Sequence, residues 1–322
     1  CTFSNNVFYG NSSTDNLYLE DTFIRFDCTN LTMESCIFDN NTFYCSAKYS
    51  AGYNSFINSW GKYDIYKSCV YSNNHFNATG GGTGYSYGCF IYSNSEYNIR
   101  IEKCVAENNS INCFGGKDDM THSVGSLLHL WPSLDMDSCI FHNNTFNFDS
   151  PLNRIDGTII YIYHANYYGG HNKVNHTIFS KNSVFMNNGK NELKGGLFFV
   201  YYMHARTYVN NCTFVSNSLY LDSIYSPEPE GSVAHFFTPI DFSNSTIKSN
   251  RFYSTKNATF RGFIHLTYCY RAMLSNDIFE DNFSPPEKGI SLSHQSVVFA
   301  SRANTSFKSC KFINNNPYKG SD

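Results

Sequence analysis

The sequence has few charged residues and no long apolar segment. Of its 322 residues 15% are charged, and the formal net charge is −3. This balance offers little attraction for nucleic acid or for an anionic membrane, so neither is expected as a partner. No apolar run approaches the 18 residues that cross a bilayer, and we expect no direct membrane insertion by this segment. The first residues also lack the basic-then-apolar pattern of a signal peptide.

Helix formers and metal-binding cysteine motifs are also scarce. The chain is poor in Ala, Glu and Leu and rich in Asn, Tyr, Phe, Ile and Thr, which disfavours helical repeats of the tetratricopeptide or ankyrin type. The twelve cysteines form no C-x-x-C pair. We therefore predict neither a zinc site nor any other metal or cofactor.

What the sequence does contain is one short pattern repeated ten times. It starts with a Cys or another polar residue, termed the anchor, which is followed by an apolar residue at offset +2 and by Asn at offset +5. Successive anchors are 32 to 38 residues apart, a period typical of stacked repeat units. The anchors are Cys1, Cys36, Cys69, Cys104, Cys139, Thr177, Cys212, Ser245, Asp277 and Cys310.

Offset +5 is the most regular column of the repeat. Asn suits a tight bend because it tolerates positive φ, and stacked Asn side chains can also pass an amide hydrogen bond from one coil to the next. Both interpretations are structural, and we expect these residues and the anchor cysteines to form structural ladders. The ten Asn are Asn6, Asn41, Asn74, Asn109, Asn144, Asn182, Asn217, Asn250, Asn282 and Asn315.

The remaining columns predict an all-β fold. Offset −3 is apolar or aromatic wherever it can be seen, and offset +2 is usually Phe, so both columns face a core. A glycine followed by an apolar run, as in Gly157 to Ile162, precedes most anchors and suits a covered strand. Because the same residue type recurs at the same offset in successive repeats, stacked coils would bring like residues side by side, which indicates parallel, in-register stacking. We predict a right-handed parallel β-helix of about nine to ten coils of ~34 residues, with three short strands per coil.

The repeats extend over the whole chain, so we predict a single β-helix domain spanning residues 1–322. Two stretches break the pattern and are interpreted as loop excursions, near residues 77–88 and 219–231. Residues that recur in every coil hold the rod together, and any specific activity must therefore lie in what does not recur. Loops on rigid scaffolds often carry such activity.

The repeat resembles that of a known family. Phe-x-x-Asn combined with Gly-Gly-x-apolar is the signature of polymorphic outer-membrane-protein (Pmp-like) passenger domains, and Gly195-Gly196 supplies one such glycine pair. More broadly, the chain is similar to the pectin-lyase-like superfamily of β-helices. The resemblance implies a surface-exposed adhesive or structural fibre. Its Phe-x-x-Asn half is carried by Phe3/Asn6, Phe38/Asn41, Phe141/Asn144, Phe179/Asn182, Phe214/Asn217, Phe279/Asn282 and Phe312/Asn315.

Twelve sequons of the form Asn-x-Ser/Thr support a secreted eukaryotic protein. Several lie in the Asn turn or just before an anchor, where a glycan can face solvent. Asn282 is followed closely by a Ser-Pro pair and is the least suited. The other candidates for N-glycosylation are Asn11, Asn30, Asn40, Asn77, Asn108, Asn143, Asn175, Asn211, Asn244, Asn257 and Asn304.

The cysteines allow two interpretations. In neighbouring coils the anchor Cβ atoms would be about 4.8 Å apart, slightly beyond the usual disulfide range, which favours stacked reduced thiols over bridges between coils. Cysteines outside the anchor column have more freedom, and an extracellular setting would oxidise them. The candidate disulfides are Cys28 to Cys45 and Cys89 to Cys113.

A search for an active site finds only weak candidates. The acid pairs Asp135/Asp137 and Glu228/Glu230 are close in sequence, but the first flanks a buried Met and the second lies in a Pro-rich segment. We interpret both as solvated carboxylates and not as the paired acids of a glycosidase. A lyase would need clustered acids for Ca²⁺ and a basic residue, and the sequence contains no such motif.

Histidine and aromatic residues recur along the glycine-led strands. The 25 Tyr and 29 Phe exceed what a narrow core can hold, so some are exposed and could bind sugars or contact another rod. The histidines are interpreted as stacked structural imidazoles, with a metal-binding or pH-sensing row as the alternative. They are His129, His164, His204, His235, His265 and His294.

These observations favour a non-enzymatic extracellular β-helix, a rod segment of a surface coat, fibre or filament at the cell surface. The alternatives are a glycan-binding surface module and a carbohydrate-active enzyme, either a polysaccharide lyase or a hydrolase. The first and last anchors look like interior ones, so we expect a segment of a longer chain or a protomer that stacks. The expected partners are other β-helix protomers or flanking segments, through end-to-end or lateral self-association, and surface glycans.

Overall fold

Each coil of the protein is about 35 residues long, and its strands pair in parallel with those of the coils before and after it. In the computed structural model, the described residues are 1–18, 23–27, 29–53, 56–80, 84–116, 120–163, 170–201, 205–223, 227–284, 292–293 and 296–315. Four large parallel sheets run along the solenoid, which confirms the predicted all-β parallel β-helix. No helix in these ranges has the length and apolarity needed to cross a bilayer.

The first sheet contains the residues that follow each anchor. Its ten strands stack in chain order. They are Thr2–Ser4, Ile37–Asp39, Val70–Ser72, Val105–Glu107, Ile140–His142, Ile178–Ser180, Thr213–Val215, Thr246–Lys248, Ile278–Glu280 and Lys311–Ile313. The offset +2 side chains are paired in register along this sheet, and those from Phe38 to Phe279 are buried in the core, as predicted.

The second sheet begins after each Asn of offset +5. Three of its strands are 12 residues long, and the strands Thr42–Tyr53 and Ser183–Lys194 each span two shorter strands of a neighbouring coil. Its eleven strands are Val7–Tyr18, Thr42–Tyr53, His75–Gly80, Gly84–Tyr87, Ser110–Phe114, Met120–Val124, Thr145–Asp149, Leu152–Asp156, Ser183–Lys194, Ser218–Ser223 and Arg251–Ser254.

The third sheet follows the glycine-led turns. Its nine strands are Ile24–Phe26, Ile57–Ser59, Ile91–Ser93, Leu128–Leu130, Ile160–Ile162, Phe198–Val200, Ala234–Phe236, Ile264–Thr267 and Val298–Ser301. In these strands the flanking residues are mostly buried in the main core, whereas the middle residue faces the other way. A small separate sheet pairs Ala258–Thr259 with Leu292–Ser293.

The fourth sheet precedes each anchor. Its nine strands are Asn30–Glu34, Tyr63–Lys67, Asn98–Glu102, Ser133–Asp137, His171–Asn175, Arg206–Asn210, Ile240–Ser243, Ala272–Ser275 and Thr305–Lys308. The offset −3 column, from Met33 to Phe307, is paired in register along this sheet and is buried in every coil but the last described one. This confirms the prediction that offset −3 forms a core column.

Two details differ from the sequence-based expectation. A coil carries four strand segments and not three, because the residues after the Asn turn form a strand of their own with the apolar offset +7 side chain buried. The first predicted excursion is also largely sheet, and the second begins as a strand. Residues 75–80 and 84–87 pair with Thr42–Tyr53, while Ser218–Ser223 pairs with Ser183–Lys194. Residues 81–83 and 224–226 lie outside the described ranges.

Candidate functional site

The Asn ladder at offset +5 satisfies its side chains completely. The Oδ1 atom of Asn74 accepts hydrogen bonds from the backbone N–H and from the Nδ2 of Asn41, at 3.1 and 2.9 Å. Its Nδ2 donates to Asn109 Oδ1 at 3.0 Å and to the Phe38 carbonyl at 2.8 Å. The same arrangement recurs from Asn6 to Asn315. Each interior amide thus uses two acceptor sites and two donors, which only Asn provides at this length.

The bend itself lies one residue earlier than predicted. Positive φ falls at offset +4 in all ten copies, as in Asn73 (φ 55°), and at offset −1 in nine, as in Ser68 (φ 53°). Asn dominates offset +4 but Lys181 and Ser216 are also found there. The explanation of offset +5 by positive φ was therefore wrong, and the explanation by an amide ladder is confirmed.

The anchors form a second buried ladder. The thiols of Cys69, Cys104 and Cys139 each donate to the offset −3 carbonyl of the preceding coil, at 3.5 to 3.6 Å. The anchor side chain of the next coil accepts from the anchor N–H, as Ser245 Oγ does from Cys212 at 3.0 Å. Thiol, hydroxyl and carboxyl groups can all accept this bond, which explains why the anchor is either Cys or another polar residue.

The predicted disulfides are not supported. No described cysteine lies at bonding distance from another, and the anchor cysteines are stacked thiols as the sequence favoured. Cys89 and Cys113 belong to different columns, because Cys113 pairs with Ala78 in the second sheet whereas Cys89 directly follows the turn glycine Gly88. Cys45 is buried in the second sheet, and Cys28 lies outside the described residues.

The asparagines of the sequons differ in their exposure to solvent. Those at the two positive-φ positions are exposed, namely Asn40, Asn108, Asn143, Asn211 and Asn244. Asn30, Asn257 and Asn304 are exposed elsewhere, and Asn77 and Asn175 are half-buried. Asn282 is a buried member of the Asn ladder. The backbone of Asn11 lies in the strand Val7–Tyr18, and its side chain is outside the described part.

A column of rings runs along the outward face of the third sheet, and we call it the inner ring column. It consists of the middle residues of consecutive strands, and neighbouring ring centroids are 4.4 to 5.6 Å apart. Its members are Tyr92, His129, Tyr161, Phe199, His235, His265 and Phe299. From His129 to His265 these rings are buried although they point away from the main core, since flanking side chains cover them. Tyr161 and Phe199 pack with Val124 in a cluster separate from that core.

A second column covers one side of the first, and we call it the outer ring column. It consists of Trp131, Tyr163, Tyr201, Phe237 and Tyr268, with neighbouring centroids 4.7 to 5.7 Å apart. Trp131 Nε1 donates to Tyr92 Oη at 3.0 Å, and the guanidinium of Arg302 lies over the Tyr268 ring. Tyr201 and Tyr268 are 43% and 41% exposed. Five coils in succession therefore present an aromatic side chain at one corner of the solenoid.

The described histidines of the predicted row are stacked rings. Burial lowers the pKa of His129 to about 3 and that of His265 to about 4, and it lowers the pKa of His235 well below its usual range. All three are therefore neutral near pH 7, which argues against a pH-sensing row. His164, His204 and His294 lie outside the described residues.

Three of the four acids in these pairs are held by basic neighbours. Asp137 accepts a hydrogen bond from His176 Nδ1 at 2.8 Å, which lowers the pKa of the carboxyl group. Glu228 and Glu230 both bind the Arg261 guanidinium, at 2.8 and 2.6 Å. Such ion pairs explain these carboxylates without a hydrolytic role.

The outer ring column was missed as a column by the sequence reasoning, although a signal for it exists. Counted from the positive-φ glycines of the third-sheet turns, position +6 is aromatic five times in a row, for example Gly125/Trp131 and Gly195/Tyr201. Counting from the anchors conceals this column, because the segment between strand and anchor varies in length.

Comparison of the chain with protein-family models, with curated proteins and with solved structures finds no match. The resemblance to Pmp-like and pectin-lyase-like proteins therefore rests on the repeat residues alone. A function for this chain has to be inferred from its own geometry.

Proposed function

We propose that this chain is a non-enzymatic segment of an extracellular rod, which serves as a structural and adhesive element of a surface coat, fibre or filament. The observation that carries the proposal is the outer ring column, an aligned and partly exposed set of rings on a scaffold whose repeated residues are occupied by internal ladders. The finer assignment to a Pmp-like, pectin-lyase-like β-helix belongs to the same proposal and is supported by the Phe-x-x-Asn repeat.

The repeated polar residues leave little chemistry for catalysis. The Asn ladder uses its amides internally, and the anchors bond to backbone groups of adjacent coils. The acid pairs that could have served a glycosidase are bound by Arg261 and His176 or lie next to basic residues in the fourth sheet. These contacts support a structural role over a hydrolase or a lyase.

A glycan-binding module is the second candidate, because aligned aromatic faces at a surface are suited to sugar rings. The ring spacing in the column repeats about every 5 Å, so an extended saccharide could contact several coils at once. Glycan binding is compatible with the rod, since a long scaffold multiplies weak contacts.

Self-association and glycosylation complete the proposal. Lateral or end-to-end association with other β-helix protomers belongs to it, because the partly exposed rings of Tyr201 and Tyr268 offer apolar area for contact with another rod. The exposed sequons at positive-φ turns support N-glycosylation of a secreted protein. Concentration-dependent association in sedimentation velocity is expected, and a monodisperse monomer at all concentrations would contradict this part of the proposal.

The non-enzymatic assignment is tested by incubating the protein with polygalacturonate, xylan and chitin. Release of reducing ends reports hydrolysis, and absorbance at 235 nm reports the unsaturated product of a lyase. We expect neither signal, while sedimentation with the insoluble polymers reports binding in the same samples. A turnover signal that scales with protein concentration would overturn the proposal.

A further inference from the structure

Three potential metal ligands meet at the boundary between the second and third sheets. Glu230 lies just before the turn glycine Gly231 and bridges Lys194 and Arg261 of the adjacent coils. His235 and His265 are neighbours in the inner ring column. One ligand atom from each of these three side chains lies within 4.8 Å of the other two, and His235 Nδ1 is 3.7 Å from Glu230 Oε2.

The two imidazoles present unused nitrogen atoms to this point. Both side chains are buried, at 0% and 1% exposure, and the Nδ1 atom of each has no hydrogen-bond partner. A buried polar nitrogen without a partner is costly and calls for a specific explanation. Both orphaned atoms belong to side chains that meet the Glu230 carboxylate, and a bound cation would satisfy them.

Thr267 holds both imidazole rings through their Nε2 atoms. Its hydroxyl oxygen lies 3.1 Å from His235 Nε2 and 2.9 Å from His265 Nε2. A hydroxyl oxygen has two lone pairs, so it can accept an N–H from each ring. When both Nε2 atoms carry the proton, both Nδ1 atoms have a free lone pair. This is the outer contact that fixes the tautomer of a metal-binding histidine.

Glu230 supplies the negative charge of this cluster, and Arg261 and Lys194 lie near enough to act on His235 as positive charges. Arg261 binds Glu230 Oε1 at 2.6 Å, which leaves Oε2 toward the histidines, and Glu228 partly neutralises the same guanidinium. A metal ion needs a neutral imidazole as ligand, and with Nε2 protonated toward Thr267 each ring offers Nδ1 in that form.

We propose that Glu230, His235 and His265 form a binding site for a divalent transition-metal ion, with Zn²⁺ and Co²⁺ as suitable probes. Two imidazole nitrogens and one carboxylate oxygen form a common zinc donor set, and they favour such ions over Ca²⁺ or Mg²⁺. Tetrahedral bonds of about 2.0–2.1 Å place ligand atoms roughly 3.4 Å apart, so atoms that lie within 4.8 Å of one another have to approach by up to about 1.4 Å. The bound ion would link two successive coils and leave one coordination position open.

The test uses the full chain, prepared without a polyhistidine tag and stripped of metal. Co²⁺ is titrated at pH 7.5, and its visible absorption reports tetrahedral coordination, while competition with Zn²⁺ gives the affinity. We expect one equivalent to bind the wild type and Zn²⁺ to raise its Tm. Glu230→Gln should weaken binding at least a hundredfold, and Glu228→Gln, the matched neighbour, should bind like the wild type. Thr267→Val should weaken binding by roughly tenfold to a hundredfold.

Failure to fold is excluded by the circular dichroism and Tm of each metal-free variant. His265→Asn removes a second ligand, and Glu230→Gln is decisive if the His265 variant is unstable, because Glu230 is half-buried and its replacement is isosteric. The proposal is overturned if the wild type gives no cobalt absorption, or if folded Glu230→Gln binds Zn²⁺ as tightly as the wild type.

Discussion

At the scale of single residues, two neighbouring columns of the repeat have different structural roles. Offset +4 makes the bend, and the Asn at offset +5 links the coils. The sequence predicted the ladder because the amide side chain repeats without exception. It could not assign the bend, because Asn, which tolerates positive φ, is common at offset +4 as well as invariant at offset +5, and only the backbone geometry shows which of the two bends.

The first prediction compares the same substitution at these two neighbours. Asn74→Ser removes the acceptor for two Asn41 donors and leaves buried groups unsatisfied, so we expect a loss of about 2–4 kcal/mol in the free energy of unfolding. Asn73→Ser at the exposed bend should cost less than about 1 kcal/mol, since Ser occupies the equivalent position at Ser216. Chemical denaturation of both variants measures the difference, and equal losses would refute the ladder assignment.

The second prediction concerns the one carboxyl anchor. Asp277 is fully buried and accepts the Ser245 N–H at 2.9 Å, and burial raises the pKa of its carboxyl group to about 7. A pKa raised in the folded state means that the native state favours the protonated form. The stability that this group contributes is therefore present below about pH 4 and is lost as the pH rises through about 7.

Asp277→Ser introduces the residue type found at the anchor of the preceding coil, Ser245, and removes the carboxyl group that titrates. We expect the variant to exceed the wild type by about 1–3 kcal/mol at pH 8, with the advantage shrinking toward pH 5. Thermal unfolding of both proteins across this range gives the comparison. An advantage that does not vary with pH would show that Asp277 does not titrate in this range.

At the scale of elements, the turn before six of the nine third-sheet strands contains a glycine with positive φ. Gly195 has φ +58°, and an added Cβ would collide with the Phe198 carbonyl oxygen. Gly195→Ala should therefore lower the free energy of unfolding by about 2 kcal/mol or more. Asn188→Gly is the control, because Asn188 also has positive φ (60°) and glycine is tolerated there. A Gly195→Ala variant as stable as the wild type would contradict this account of the turn.

The elements also show where sequence reasoning succeeds and where it stops. The buried columns were predictable because each coil repeats its apolar residues at fixed distances from the anchor. The fourth strand of each coil and the strands within the supposed excursions were not predictable from the sequence. Glycine-rich residues such as Gly84–Tyr87 form a strand because their backbone pairs with a long neighbouring strand. The Glu230–His235–His265 cluster joins a turn to two strands, so no linear spacing marks it as one site.

At the scale of the whole molecule, the protein is a scaffold in which most recurrent polar groups bond to adjacent coils. The side chains that differ from coil to coil lie at positions outside the repeated columns. The outer ring column covers five successive coils, and the metal-ligand cluster lies beside its C-terminal part near Phe237. Function is therefore expected at this corner of the solenoid and not in the ladders.

The most direct test is the binding of the protein to insoluble polysaccharides, chitin and cellulose among them, measured by sedimentation of the particles. The account predicts that the wild type binds at least one polymer and that Tyr201→Ala/Tyr268→Ala weakens binding about tenfold or more without lowering Tm by more than a few degrees. The matched control is Tyr220→Ala/Tyr253→Ala, which removes a stacked pair from the second sheet and should bind like the wild type. Equal binding by both double variants would contradict the assignment of the outer ring column as the contact surface.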